Sequence, residues 1–180
     1  MKKETKSVAQ NDTESATISP ETGFRDAARI TLRAALVKMM KNAPETHAGL
    51  LRREPKPAEV EALHDMRVGT RRLRAALSVF ARIFPKDDYR DIEREVAAIT
   101  DALAAVRDLD VQRETLAAIT ADMPPNEAYG VERLRARLAR QRDTERESLI
   151  KALKKLEKSR FEKRFTQALE RATTVGKKEA

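Results

Sequence analysis

Between Leu63 and Phe84 the side chains with the most chemical potential fall on one line. At about 100° per residue along a helix, Leu63, Met66, Leu73, Leu77, Phe80 and Phe84 gather on one side, with Gly69, Thr70 and Ala76 at its edges. His64, Arg67, Arg71, Arg74, Ser78 and Arg82 gather on the opposite side. Helix neighbours three or four residues apart stand roughly 5–6 Å from each other, and like charges at that spacing repel. An ordinary solvent-facing helix relieves the repulsion by interleaving Glu with Arg, but this stripe carries almost no acid of its own. Such a face asks for an anion, either a carboxylate from a neighbouring helix or a bound ligand. Arginine suits phosphate because its planar fork engages two oxygens at once. The competing reading of an arginine run is a solvated face.

Arg107-Asp108-Leu109-Asp110 bears on that choice. Its two carboxylates interrupt an apolar stripe; they either orient arginines of a neighbouring helix around a binding site or neutralise them as structural ion pairs. His64-Asp65 superficially resembles the His-Asp pair of metal-dependent phosphohydrolases. The second histidine, His47, is expected in a loop beside a break, and one His with scattered acids does not make a transition-metal site. The chain has no Gly-rich phosphate loop, no Ser-His-Asp set and no cysteine nucleophile. The reading is a binding protein, not an enzyme, with no cofactor and no metal.

The elements that position these groups are helical. Phe24, Ala28, Thr31, Leu32, Ala35, Leu36 and Met39 recur at helical spacing and stop at Asn42-Ala43-Pro44. A short helical turn fits His47 to Arg53, before Pro55-Lys56-Pro57. The arginine-bearing helix spans about Ala58 to Phe84 and is closed by Pro85. Ile92, Val96, Ile99, Leu103 and Val106 mark the next helix, whose stripe then falls on Asp110, either a buried carboxylate or a break. A last long helix spans about Glu127 to Glu157, with Val131, Leu134, Leu138, Leu149, Leu153 and Leu156 on one face and Glu145 where an apolar residue is expected. Phe161, Phe165 and Leu169 mark a final short helix. The expected fold is all-α: an up-and-down four-helix bundle over residues 21–175, with short accessory helices and a disordered N-terminal tail over residues 1–20.

The 180 residues suffice for one domain with a real core, built with 4% aromatics and no Trp from Leu, Ile, Val, Met and Ala. A net charge of +8 favours negatively charged partners: nucleic acid, an anionic membrane or a phosphate polymer. With no cysteine, disulfides and thiolate metal sites are excluded. No apolar run spans a membrane and no secretory signal follows Lys2, Lys3 and Lys6, so the expected location is cytoplasmic.

Leu63-His64-Asp65-Met66-Arg67-Val68-Gly69-Thr70-Arg71-Arg72-Leu73-Arg74-Ala75-Ala76-Leu77, followed by Phe80, closely resembles the signature of CHAD domains, the histidine-bearing α-helical domains. Val106-Arg107-Asp108-Leu109-Asp110-Val111 resembles that family's second signature, and Lys158-Ser159-Arg160-Phe161 a weaker third element. The resemblance covers about residues 22–172. It implies a helical bundle whose basic residues line a surface for inorganic polyphosphate, often linked to polyphosphate granules or to catalytic CYTH domains. Carried over by motif, His64, Arg67, Arg71, Arg72, Arg74 and Arg107 are the polyphosphate-binding residues, with Asp108 and Asp110 as supporting carboxylates. Full CHAD domains contain two similar helical halves. By the resemblance this chain corresponds to the N-terminal half, either a truncated form or one that pairs as a homodimer. Two other functions fit the basic charge. One is nucleic-acid binding, against which Tyr89 and Tyr129 offer few stacking groups. The other is a protein-interaction module, with Arg133, Arg135, Arg137, Arg140, Arg142 and Arg146 as a solvated outer face.

Overall fold

The computed structural model describes residues 18–121 and 123–174. The expected disordered tail lies, apart from residues 18–20, outside the described residues. Six α-helices and one 3-10 turn follow in order: α1 (Phe24–Lys41), α2 (Ala43–Leu50), α3 (Pro57–Val79), the turn Ala81–Ile83, α4 (Lys86–Thr120), α5 (Pro125–Lys158) and α6 (Phe161–Thr174). The fold is all-α, and no strand occurs among the described residues. None of the described helices is long and apolar enough to cross a membrane.

Prolines set the boundaries. Pro57 opens α3 in its first turn, where a missing N–H costs nothing, and Pro85 and Pro124 stand immediately before α4 and α5. The short turn expected around His47 is the regular helix α2, so His47 is helical rather than in a loop. Glu59 fixes the start of α3: its Oε2 accepts the Lys56 backbone N–H at 2.7 Å, and its Oε1 accepts from Arg52 Nε at 2.8 Å.

Helix α3 is central, packing on α1, α2 and α4; α5 lies on α4 and touches α2, and α6 returns to α1. Two glycines allow the closest approaches. A Cβ on Gly69 would stand 3.0 Å from the Met39 Cα and 3.1 Å from the Met39 N, both backbone atoms of α1. A Cβ on Gly49 would stand 2.7 Å from the Glu59 Cβ. Gly69 thus sits on the arginine-bearing helix because α1 crosses there. The core joins Leu32 and Met39 of α1, Met66, Leu73 and Leu77 of α3, Val96, Ile99, Leu103 and Val106 of α4, Leu149 of α5, and Phe161 and Phe165 of α6. Each such side chain contributes about 1.5–3 kcal/mol by leaving water.

The core does not extend the full length of α4 and α5. Leu109 is the last buried residue of α4 and Leu149 the first of α5; no described residue between them is buried. Leu134, expected on the core face with Leu149, is exposed, and Val131 and Leu138 are only half-buried. The two helices run past the bundle as a paired arm and bury their apolar positions only partly. Where the core ends, Asp110 holds the position its stripe predicted, within an unbroken helix. It is a half-buried carboxylate that accepts from Arg142 Nε at 2.6 Å.

Candidate functional site

Helix α3 turns Leu63, Met66, Thr70, Leu73 and Leu77 inward and leaves His64, Arg71, Arg72 and Arg74 exposed, with Arg67 half-buried at the edge. Thr70 does not break the inner face, since its hydroxyl donates to the Arg67 carbonyl at 3.0 Å. From Leu63 to Arg74 the helix rises roughly 16 Å, so the stripe is an elongated track.

Two of its arginines lean on α4. Arg67 Nη2 stands 3.7 Å from Asp108 Oδ1; Arg74 stands 3.5 Å from Asp101 and 3.8 Å from Glu93. The stripe's missing acids are therefore supplied in part by the neighbouring helix. These pairs are long and wet, with the Asp108 and Asp101 side chains 63% and 73% exposed. Pairs of that kind contribute about 0–1 kcal/mol. Arg67 is incompletely satisfied, since its Nε is buried with no hydrogen-bond partner. Neither Arg71 nor Arg72 belongs to any ion pair found among the described residues. Arg72 lies about 140° round the helix from Arg67, on the flank nearer α1, and stands outside the stripe.

The second motif divides between two places. Asp108 faces α3 and meets Arg67, as a supporting carboxylate of the stripe would. Asp110 meets no arginine of α3. Its partners are Arg142 of α5 and, at 4.0 Å, Arg113 of its own helix. Arg107 donates to Glu114 at 3.2 Å. It also lines a small cavity of about 30 Å³ with Thr46, Glu59, Val60, Leu63, Asp110 and Arg142. Val60 and Leu63 occupy the α4-facing side of α3 one to two turns before Arg67, which places Arg107 at the head of the same track.

Around that cavity stand Glu59 and two arginines expected on the solvated face of the last long helix. The Arg142 side chain is only 15% exposed and that of Arg146 26%, so neither belongs to a solvated outer face. Arg146 Nη1 donates to the Arg52 carbonyl at 3.2 Å. The Lys56 backbone N–H holds the Glu59 carboxyl below the ordinary carboxylate range; burial opposes this, and Arg52 adds to the lowering. One signal was available: Arg142 lies seven residues before Leu149, on the face an apolar side chain would occupy.

Among the described residues no three His, Asp or Glu side chains are placed to hold a metal ion. His64 stands on the open face of α3. The arrangement can bind an extended anion, with forked donors on one side and displaceable carboxylates on the other.

The CHAD domain family model matches residues 30–180. No curated protein and no solved structure matches the chain. The match gives no support to reading the chain as the N-terminal half of a domain, and the homodimer expectation rested on that reading.

Proposed function

Because the chain belongs to the CHAD-domain family, we propose that it is a non-catalytic module that binds inorganic polyphosphate along the arginine track of α3. The observation that carries the proposal is the row of guanidinium groups on α3 whose ion-pair partners among the described residues are long contacts of 3.5–3.8 Å to α4, two of them to the well-exposed Asp101 and Asp108. Phosphate oxygens make shorter, forked, charge-assisted bonds than these pairs do. A polyanion laid along the seam exchanges weak contacts for stronger ones at little cost. Arg71 engages it from the crest of α3, and Arg67, Arg74 and Arg107 from the α4 side. His64 adds a ring nitrogen next to Arg67. Asp108 holds the Arg67 guanidinium extended until the ligand displaces it. Asp110 acts one step removed, keeping Arg142 against the wall that Arg107 shares. Arg72 reaches the ligand only if the chain wraps over the crest of α3.

The nucleic-acid reading is weaker. The exposed aromatics are Phe24 and Tyr129, the first packed on Phe80 under Arg82 and the second on the arm. Tyr89 packs on Phe84. Single-strand binders stack bases on aromatics beside the basic groove, and the α3 track has none among the described residues. Competition between long-chain polyphosphate and single-stranded DNA or RNA, at matched charge and salt, tests the proposal. Polyphosphate is expected to displace the nucleic acids; equal or reversed preference overturns it. Incubated with polyphosphate or nucleotide and divalent metal, the protein is expected to release no phosphate.

A further inference from the structure

A cleft lies away from the α3 track, where α1 and α2 meet the turn between α5 and α6. Its volume is about 610 Å³, within the range of small-molecule sites. None of its lining residues belongs to α3 or α4. We propose that it is a binding site for a small amphipathic anion, a medium-chain carboxylate being the simplest member of the class.

Three observations converge on that chemistry. The floor is apolar: Met40, Ala43, Leu153, Leu156 and Phe161 line it, the last three buried in the protein core. The rim is charged, with Lys154, Arg160 and Lys163 against Glu157 and Glu162, an excess of cation. None of these five side chains takes part in an ion pair found among the described residues, so the rim is not neutralised from within. The wall also includes His47, whose Nε2 is buried without a hydrogen-bond partner. A buried, unpaired ring nitrogen is costly, and a group brought in beside the ring removes that cost.

The turn itself is built toward the cleft. Arg160 has φ 51°, in the left-handed region that ordinarily favours Gly or Asn, yet the position carries a guanidinium. Arg164 Nε donates to the Ser159 carbonyl at 2.9 Å, and the Ser159 hydroxyl donates to Glu95 at 3.3 Å, so the turn is braced from behind. That bracing leaves Arg160 beside the first turn of α6, whose residues Phe161, Glu162 and Lys163 line the cleft. The anion's head meets the cations of the rim and the positive end of a 14-residue helix. Its chain lies on the apolar floor.

The protein has two histidines, one in each site, and each reports on its own. Octanoate is titrated into the full-length chain at fixed pH while the imidazole Hε1 signals are followed by NMR, with octylamine as the cationic control of equal apolar length. The expected result is a saturable shift of His47 with octanoate, none of His64, and at least tenfold weaker binding of octylamine. The variant Lys154→Glu/Lys163→Glu changes two exposed residues, so the fold is retained and far-ultraviolet circular dichroism checks it. It is expected to weaken octanoate about tenfold or more and to strengthen octylamine. An unmoved His47 at millimolar octanoate, or equal affinity for the two amphiphiles, overturns the proposal. Loss of polyphosphate binding would leave it untouched, since the sites share no residue.

Discussion

Replacing Arg67 and Arg71 together by Ala separates a binding track from a solvated face. In the folded protein the pair does little. Arg71 belongs to no ion pair found among the described residues, and Arg67 meets only the exposed Asp108 at 3.7 Å. Loss of that contact removes about 0–1 kcal/mol, a fall of at most about 4 °C in Tm for a chain of this size. Binding should change far more. A charge-assisted contact with phosphate at an exposed site contributes about 1.5 kcal/mol, so the double variant should bind polyphosphate about 100-fold more weakly. Salt gives a second reading. If Arg67, Arg71, Arg74 and Arg107 each neutralise one phosphate, the log–log slope against salt is about −2.8 to −3.6. Between 50 and 200 mM salt the wild-type protein then loses about 50- to 150-fold in affinity, and the double variant about 7- to 12-fold. Fluorescence anisotropy with end-labelled polyphosphate measures both, and thermal melting by circular dichroism measures stability. Unchanged affinity and slope in a folded double variant would refute the site; a collapse of Tm would show that Arg67 is structural.

Three further outcomes follow from packing and titration. Gly69→Ala gains about 1 kcal/mol in helix propensity but sets a methyl against the Met39 backbone, at about 1–3 kcal/mol of overpacking, so thermal melting should find it less stable; a rise in Tm would show that α1 can shift. Asp110→Ala leaves Arg142 half-buried without its carboxylate and should destabilise by about 1–3 kcal/mol, whereas Asp110→Leu/Arg142→Leu continues the apolar stripe and should match or exceed wild type in urea unfolding. Glu59 has its folded-state pKa lowered, so its stabilisation is present above the unfolded value and disappears as pH falls through the folded one; Glu59→Gln should flatten the acid limb of stability against pH, and an unchanged limb would contradict that role.

Much of this was legible in the sequence because its signals were strong and local. The three-four recurrence of Leu63, Met66, Leu73 and Leu77 defined both faces of α3, and proline marked the start of α3, α4 and α5. The same periodicity overreached in α5. It placed Val131 and Leu134 in line with Leu149, but a stripe shows which side of a helix is apolar, not how far a partner extends along it. The arm begins beyond Asp110, where α2 and the first turns of α3 give α4 and α5 their last neighbours, and that is tertiary information. Asp110 is legible as an interruption of its stripe, but its pairing with Arg142 is not: Arg142 follows 32 residues later among many arginines of α5 and reads as one of a solvated face. Glu59 was missed for another reason: capping types are sought at the N-cap itself, and here Lys56 occupies that position while the carboxylate reaches back from the third residue.

Polyphosphate bound along α3, as proposed, lies beside His64. Titrating the protein with polyphosphate at fixed pH and low salt, while the two imidazole Hε1 resonances are followed by NMR, tests it most directly. His64 is expected to shift saturably and to return as salt is raised, with His47 unmoved. Saturation of binding with His64 unmoved would place the polyanion elsewhere on the protein and refute the α3 site.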